Sequence, residues 1–156
     1  MSLDRSTFIV DRTQADISTA FSVRENYVQK GKELTEIQVQ QLERGTMTIS
    51  TLNRIEQAQD FLKGMFNNMG YFNTNIVNKS WDYTQIFDVA ELQRIIENTN
   101  ILRNAFFVYK DTPNTPPVSY HYNDINALEK ILYDLDVMIN DVKANYRFCG
   151  EFVCGE

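Results

Sequence analysis

Any chemistry in this chain has to come from few residues. His121 is the only histidine, so neither a His-based catalytic dyad nor a His metal cluster can be assembled. The two cysteines, Cys149 and Cys154, both lie in the terminal Cys-Gly-Glu-Phe-Val-Cys-Gly-Glu. Two thiols without His partners fall short of the usual four zinc ligands, and we read them as free thiols filling small positions. No Ser stands in a Gly-x-Ser-x-Gly elbow, and the glycines are isolated helix stops that form no phosphate loop. Glu129, Asp134, Asp136 and Asp141 invite a metal-site reading, but helical spacing turns them mainly away from the apolar stripe of their segment. They are expected on a solvated face. The expectation is therefore no enzyme, no cofactor and no metal centre.

What remains is aromatic. Trp81, Tyr83, Phe107, Tyr109, Tyr120, Tyr122, Tyr146, Phe148 and Phe152 fall in arm-like or loop-like segments between or after the helical stretches. A small helical core cannot easily bury them all, and aromatic side chains dominate interface hot spots. With the apolar patch Phe8-Ile9-Val10 near the start, Trp81, Tyr83, Tyr109, Tyr120, Tyr122, Phe148 and Phe152 form the candidate interface set. Trp81 has two readings, an anchor for a partner or a plug over the open end of a helix bundle.

The elements that must position these residues are announced by a phrase used three times: Thr48-Ile-Ser-Thr-Leu52-Asn-Arg54-Ile55, Asp88-Val-Ala-Glu-Leu92-Gln-Arg94-Ile95 and Asp124-Ile-Asn-Ala-Leu128-Glu-Lys130-Ile131. A Thr or Asp oxygen can accept from first-turn N–H groups, and Leu and Ile three apart share a helix face. The phrase predicts three long helices that aim one face at a common core. The first runs from Thr48 to Gly70, with Gly64 inside it to allow close packing or a bend. The second starts at Asp88 with Glu91 completing a capping box, and fades near Phe107. The third runs from about Asp124 to about Asn145, with a stripe from Ile125 to Val142.

Two shorter helices precede them. One starts at Thr13 with Asp16 in its first turn and ends at Gly31, its core side carrying Ile17, Ala20, Phe21, Tyr27 and Val28. The other starts at Thr35 and stops at Gly45. Its few apolar residues, Ile37, Val39 and Leu42, suggest a lid or a partner-facing element. Asn73 to Trp81 reads as an extended segment or strand, and the alternating tail Tyr146–Phe152 as a half-buried strand. Asp111 to Val118, with three prolines, reads as a stiff connector, or less simply as a ligand for a proline-reading groove. The predicted fold is mainly α: an antiparallel three-long-helix bundle, two shorter N-terminal helices, and a minor β element from the Asn73–Trp81 link and the C-terminal tail. Residues 1–12 form an arm and 13–156 a single helical domain, with a sub-boundary near residue 46.

The 156 residues carry a net charge of -6, with 43% apolar and 23% charged side chains. That composition is ordinary for a globular chain large enough to bury a core. The acidic balance, with scattered Lys and Arg, argues against a nucleic-acid partner. There is no membrane-length apolar run and no signal-peptide core, so synthesis and folding in a cytoplasm are expected.

Several motifs resemble one family. Asp11-Arg-Thr-Gln-Ala-Asp16, Leu52-Asn-Arg-Ile-Glu56, the Trp81 link, Leu102-Arg-Asn-Ala105, Thr112-Pro-Asn-Thr-Pro-Pro117, Asn123-Asp-Ile-Asn-Ala-Leu-Glu-Lys-Ile-Leu-Tyr-Asp134 and Tyr146-Arg-Phe-Cys-Gly-Glu151 are similar to small proteins and modules encoded among tail genes of Firmicutes phages and prophages. Cys149 departs from the small residue usual in the last motif. The resemblance implies a virion structural protein of the tail, baseplate or fibre region, made and assembled in the host cytoplasm. Its partners would be other tail or baseplate proteins and further copies of itself, with neither nucleic acid nor membrane among them. The rival readings are a receptor- or glycan-binding module at a fibre tip, a cytoplasmic assembly factor, and a cell-wall hydrolase.

Overall fold

A computed structural model describes residues 3–31, 33–70 and 75–151, with side chains described except at residue 30 and from 146 onward. It is mainly helical: a 3-10 turn at Arg5–Thr7, then α1 (Gln14–Lys30), α2 (Glu36–Gly45), α3 (Ile49–Asn68), α4 (Val89–Ala105) and α5 (Tyr122–Glu151). Among the described residues there is no strand.

Local chemistry sets most of the boundaries. Thr13, Thr35, Thr48 and Asp88 are N-caps, each side chain accepting from the backbone N–H three residues on. Thr13 and Thr35 make full capping boxes, with Asp16 and Gln38 returning the bond. Glu91 does not return it to Asp88, because its carboxylate is taken by Lys79 and Arg94. Gly31 closes α1 in the left-handed region at φ 58°, where a Cβ would be strained.

Gly45 is the last residue of α2, not a stop after it. A Cβ there would lie 2.3 Å from the Asp16 carbonyl oxygen and 2.4 Å from the Ala20 Cβ. The end of α2 thus closes on the start of α1, and the two form an antiparallel hairpin. A Cβ at Gly64 would meet nothing within 4 Å, so close packing does not require this glycine. Gly64→Ala should raise the unfolding free energy by about 0.5–1 kcal/mol in urea titration, from helix propensity alone.

The long helices α3, α4 and α5 each pack against the other two, whereas α1 and α2 pack chiefly against each other. The repeated phrase does what its spacing predicts, since Leu52, Ile55, Leu92, Ile95, Leu128 and Ile131 all enter one core. Leu62, Phe66, Leu132, Leu135 and Ile139 extend it. The third copy begins inside its helix. His121 caps α5, its carbonyl accepting from Asp124 and Ile125 N–H and its Nδ1 from Asn123 N–H. Asp124 lies in the first turn, where the helix dipole favours an acid.

Two expectations of β structure are corrected. The chain from 146 to 151 continues α5, because no residue there lacks an N–H and propagation adds one bond per residue fixed. From 75 to Trp81 the link has neither helix nor strand, and the start of the predicted segment, Asn73 and Thr74, lies outside the described residues. Its backbone bonds instead to side chains of α3 and α4.

The proline connector is fastened to its own chain. Arg103 Nε donates to Pro113 O at 2.9 Å, Thr115 to Asn100 at 3.0 Å, and Thr112 Oγ1 to the buried Asp134 at 2.7 Å. Its path is that of a spacer between α4 and α5.

Candidate interaction surface and buried charge clamps

The most organised polar chemistry is a device built twice. In α3, Asn53 accepts from Trp81 N–H at 2.7 Å and donates to Trp81 O at 2.9 Å, while three residues on Glu56 accepts from Lys79 N–H at 2.5 Å. In α5, Asn126 accepts from Arg12 N–H at 3.2 Å and donates to Arg12 O at 3.0 Å, while three residues on Glu129 accepts from Ile9 N–H at 2.8 Å. Asn and Glu three apart share a helix face, so each Asn-x-x-Glu holds an extended segment flat on its helix. Each supplies the backbone partners that a strand would otherwise need.

Each glutamate is neutralised from the neighbouring helix by the basic residue of the repeated phrase. Arg94 of α4 donates to both Glu56 oxygens, at 2.5 and 3.0 Å, and Arg54 of α3 donates twice to Glu129 Oε1, at 2.6 and 2.9 Å. Glu56 also accepts from the Trp81 indole Nε1 at 2.7 Å, and Glu129 from Arg12 Nη1 at 2.9 Å. Burial opposes the charge of Arg94, but the Glu56 and Glu91 carboxylates outweigh it and raise its pKa. Lys79 foremost, and then Arg94, hold the Glu91 carboxyl below its usual range against its partial burial.

The acids of α5 are thus a correction. Glu129, Asp134 and Asp136 are buried and only Asp141 is exposed. Helical spacing does turn them off the stripe facing α3 and α4. The side opposite, however, is covered by the N-terminal arm and the proline connector, which bring Arg5, Arg12 and Thr112 to them. Among the described residues no group of three or more candidate ligands could hold a metal ion. No helix among them is long and apolar enough to cross a membrane.

The candidate interface residues divide. Phe8 packs against the core and edge-on to Tyr133, and Ile9 is half-buried beside Glu129, so this arm docks on its own chain, leaving Val10 exposed. Trp81 is 5% exposed, which places it on the plug side of its two readings. It meets Phe87 edge-on at 5.4 Å, and Phe87 meets Tyr120 at 6.1 Å, a short aromatic row running from core to surface. Tyr109 is half-buried and donates to Asp141, which raises its pKa. Tyr122 is half-buried against His121, while Tyr83, 94% exposed, and Tyr120 face solvent. Phe148 lies on α5 with its side chain outside the described residues, and Phe152 lies outside them altogether.

Sequence reasoning marked α2 as partner-facing but missed the exposed apolar surface that α1 adds to the hairpin. Ala20 and Val23 are buried between α1 and its neighbours, but Phe21, Tyr27 and Val28 are exposed, correcting the expected core side of this helix. Phe21 and Val28, seven residues apart, share a stripe. In α2 no residue is buried, and Ile37 and Val39 are exposed. The absence of any bulky apolar residue at Asp16 and Gly45, where the helices meet most closely, was the available signal.

Comparison with family models, with curated proteins and with solved structures finds no match.

Proposed function

We propose that this protein is a structural component of a phage tail or tail-like particle, a baseplate or fibre-attachment part that works by protein–protein assembly and without catalysis. Its rigid body is the antiparallel bundle of α3, α4 and α5, locked by the two clamps. The tail assignment draws on the resemblance of the Asn53–Glu56 and Asn126–Glu129 motifs and their surroundings. The assembly part is carried by one observation: the α1–α2 hairpin leaves Phe21, Val28 and Ile37 in solvent.

Helices bury an apolar stripe against another layer, and a two-helix hairpin is only half of a four-helix arrangement. A second copy of the chain supplies the other half through a self-complementary, two-fold contact. Homo-oligomers in the particle follow from that pairing, and their making and assembly in the host cytoplasm is what the resemblance implies.

The test is mass spectrometry of purified particles from cells expressing the wild type or the double variant Val28→Asp, Ile37→Asp. The wild type is expected in the particles in stoichiometric amount. The double variant, folded by circular dichroism, is expected to be depleted about tenfold or more, because two carboxylates would have to be desolvated in the contact. Wild type absent from particles would overturn the reading in favour of an assembly factor. Incorporation of both proteins together with binding to host polysaccharide would favour the fibre-tip alternative.

A further inference from the structure

The clamp pattern occurs a third time. Asn126-Ala-Leu128-Glu129-Lys130 reads amide, any residue, Leu, Glu, base, and so does Gln40-Gln-Leu42-Glu43-Arg44 in α2. Apart from these and Asn53-x-x-Glu56, no Asn or Gln stands three residues before a Glu anywhere in the chain. Gln carries the amide of Asn on a stem one methylene longer. Among the described residues, neither Gln40 nor Glu43 has a hydrogen-bond or ion-pair partner. Both line an open cleft of about 600 Å³ between the arm, α2 and the start of α3, with Leu3, Phe8, Arg44 and Arg54 also in its wall.

The two occupied clamps show what such a pair binds. In each, the amide takes both the N–H and the C=O of one residue, Trp81 or Arg12, and the glutamate takes the N–H of a residue two or three earlier, Lys79 or Ile9. The held segment therefore runs antiparallel to its helix. In the Trp81 link the gripped residues are 77, 79 and 81, the alternation of an extended chain. Each segment also brings a base to an acid of the bundle, Lys79 to Glu91 and Arg12 to Glu129. With segments laid across them, Glu56 is 1% exposed and Glu129 0%. Glu43 is only half-buried, and Gln40 is exposed. Both arginines of the cleft are engaged by other acids, Arg44 by Asp11 and Asp16 and Arg54 by Glu129, which leaves Glu43 for a base from outside.

We infer that Gln40 and Glu43 are a clamp for an extended segment of another protein, laid antiparallel to α2 in this cleft. The segment gives one N–H and one C=O to Gln40 and, two or three residues earlier, an N–H to Glu43, and it carries a Lys or Arg among those residues. The two segments of this kind in the chain itself are already seated on α3 and α5, and neither 71–74 nor 152–156 contains a Lys or Arg. The inference does not depend on pairing through the hairpin stripe.

Fluorescence anisotropy tests it, with a labelled, end-blocked peptide of residues 76–81, Ile-Val-Asn-Lys-Ser-Trp, titrated with the full chain. The seat of this sequence on α3 is filled by the chain's own link, so the clamp open to the peptide is the one on α2. A Kd under about 1 mM is expected. N-methylation of the Lys amide removes the N–H meant for Glu43 and should weaken binding about tenfold or more, whereas N-methylation of the Ser amide should leave it. A peptide with Glu in place of Lys should not bind. Gln40→Ala and Glu43→Ala should each weaken binding about tenfold, and together abolish it, with helical circular dichroism unchanged. Val28→Asp, Ile37→Asp should bind the peptide as the wild type does, which keeps this result apart from that of the hairpin. No binding up to about 1 mM, equal binding of the peptide methylated at Lys, or undiminished binding to Gln40→Ala, Glu43→Ala would each overturn the proposal. Loss of self-association in that double variant would overturn it in favour of a second copy of the chain as the occupant.

Discussion

Glu129→Gln should lower the unfolding free energy by about 3–5 kcal/mol, read as a shift of the urea midpoint at unchanged slope. The substitution barely changes shape. What it removes is the counter-charge of Arg12 and Arg54, whose side chains are 2% and 12% exposed. Solvent screening, which reduces most surface ion pairs to under ~1 kcal/mol, has little access to this one. The arm should loosen with it, since Glu129 is also the acceptor for Ile9 N–H. Replacing Glu129, Arg12 and Arg54 together by Met should recover much of the loss, because a buried ion cluster exchanged whole for apolar side chains is often neutral. A single-variant loss under ~1 kcal/mol would mean that the cluster is solvated. The Arg5–Asp136 pair, with Arg5 39% exposed, is a useful contrast and should matter less.

Trp81→Ala should cost about 3–5 kcal/mol, the range for removing a large buried aromatic side chain. It empties the space beside Phe87 and takes one donor from the buried Glu56. Trp81→Phe should retain part of the packing and lose the indole bond. The readout that separates plug from anchor is solution mass measured alongside stability. A plug loses stability while the folded fraction assembles as before. Full stability with lost assembly would make Trp81 an anchor and contradict its buried position.

The helix starts and the core were legible because their causes are local. A Thr or Asp four residues before Leu, and that Leu three before Ile, acts within about one turn, and all three copies deliver their Leu and Ile to the core. The clamps were not legible, although their residues stand inside the very motifs that carry the resemblance. Asn53 and Glu56 look like polar surface positions until residues 79–81 arrive, and Asn126 and Glu129 until residues 9–12 arrive. Periodicity on one helix reports which side faces the other helices, and says nothing of an arm more than a hundred residues away in sequence. The same limit misplaced the acids of α5. The link was read as a strand, but a strand needs a backbone partner, and from 75 to 81 Asn, Glu and Arg side chains took that role. In the tail, alternation of aromatic and polar residues lost to the continuation of an established helix.

The sequence signal at the hairpin pointed the right way for α2 and the wrong way for α1. Ile37 and Val39 are too few to make a core helix and are indeed exposed. Phe21 and Val28 share a stripe that periodicity alone assigns to the interior, yet Ala20 and Val23 take the inner position, Ala20 where Gly45 brings the two helices too close for a larger side chain.

That exposed stripe is where the account is most open to refutation, and sedimentation equilibrium of the purified protein over a hundredfold range of concentration tests it directly. The wild type should show a mass that rises to at least twice that of the 18.2 kDa chain. Val28→Asp, Ile37→Asp should remain at the single-chain mass with unchanged helical circular dichroism. A wild type that stays at the single-chain mass throughout, or a double variant that associates as the wild type does, would contradict assembly through the hairpin.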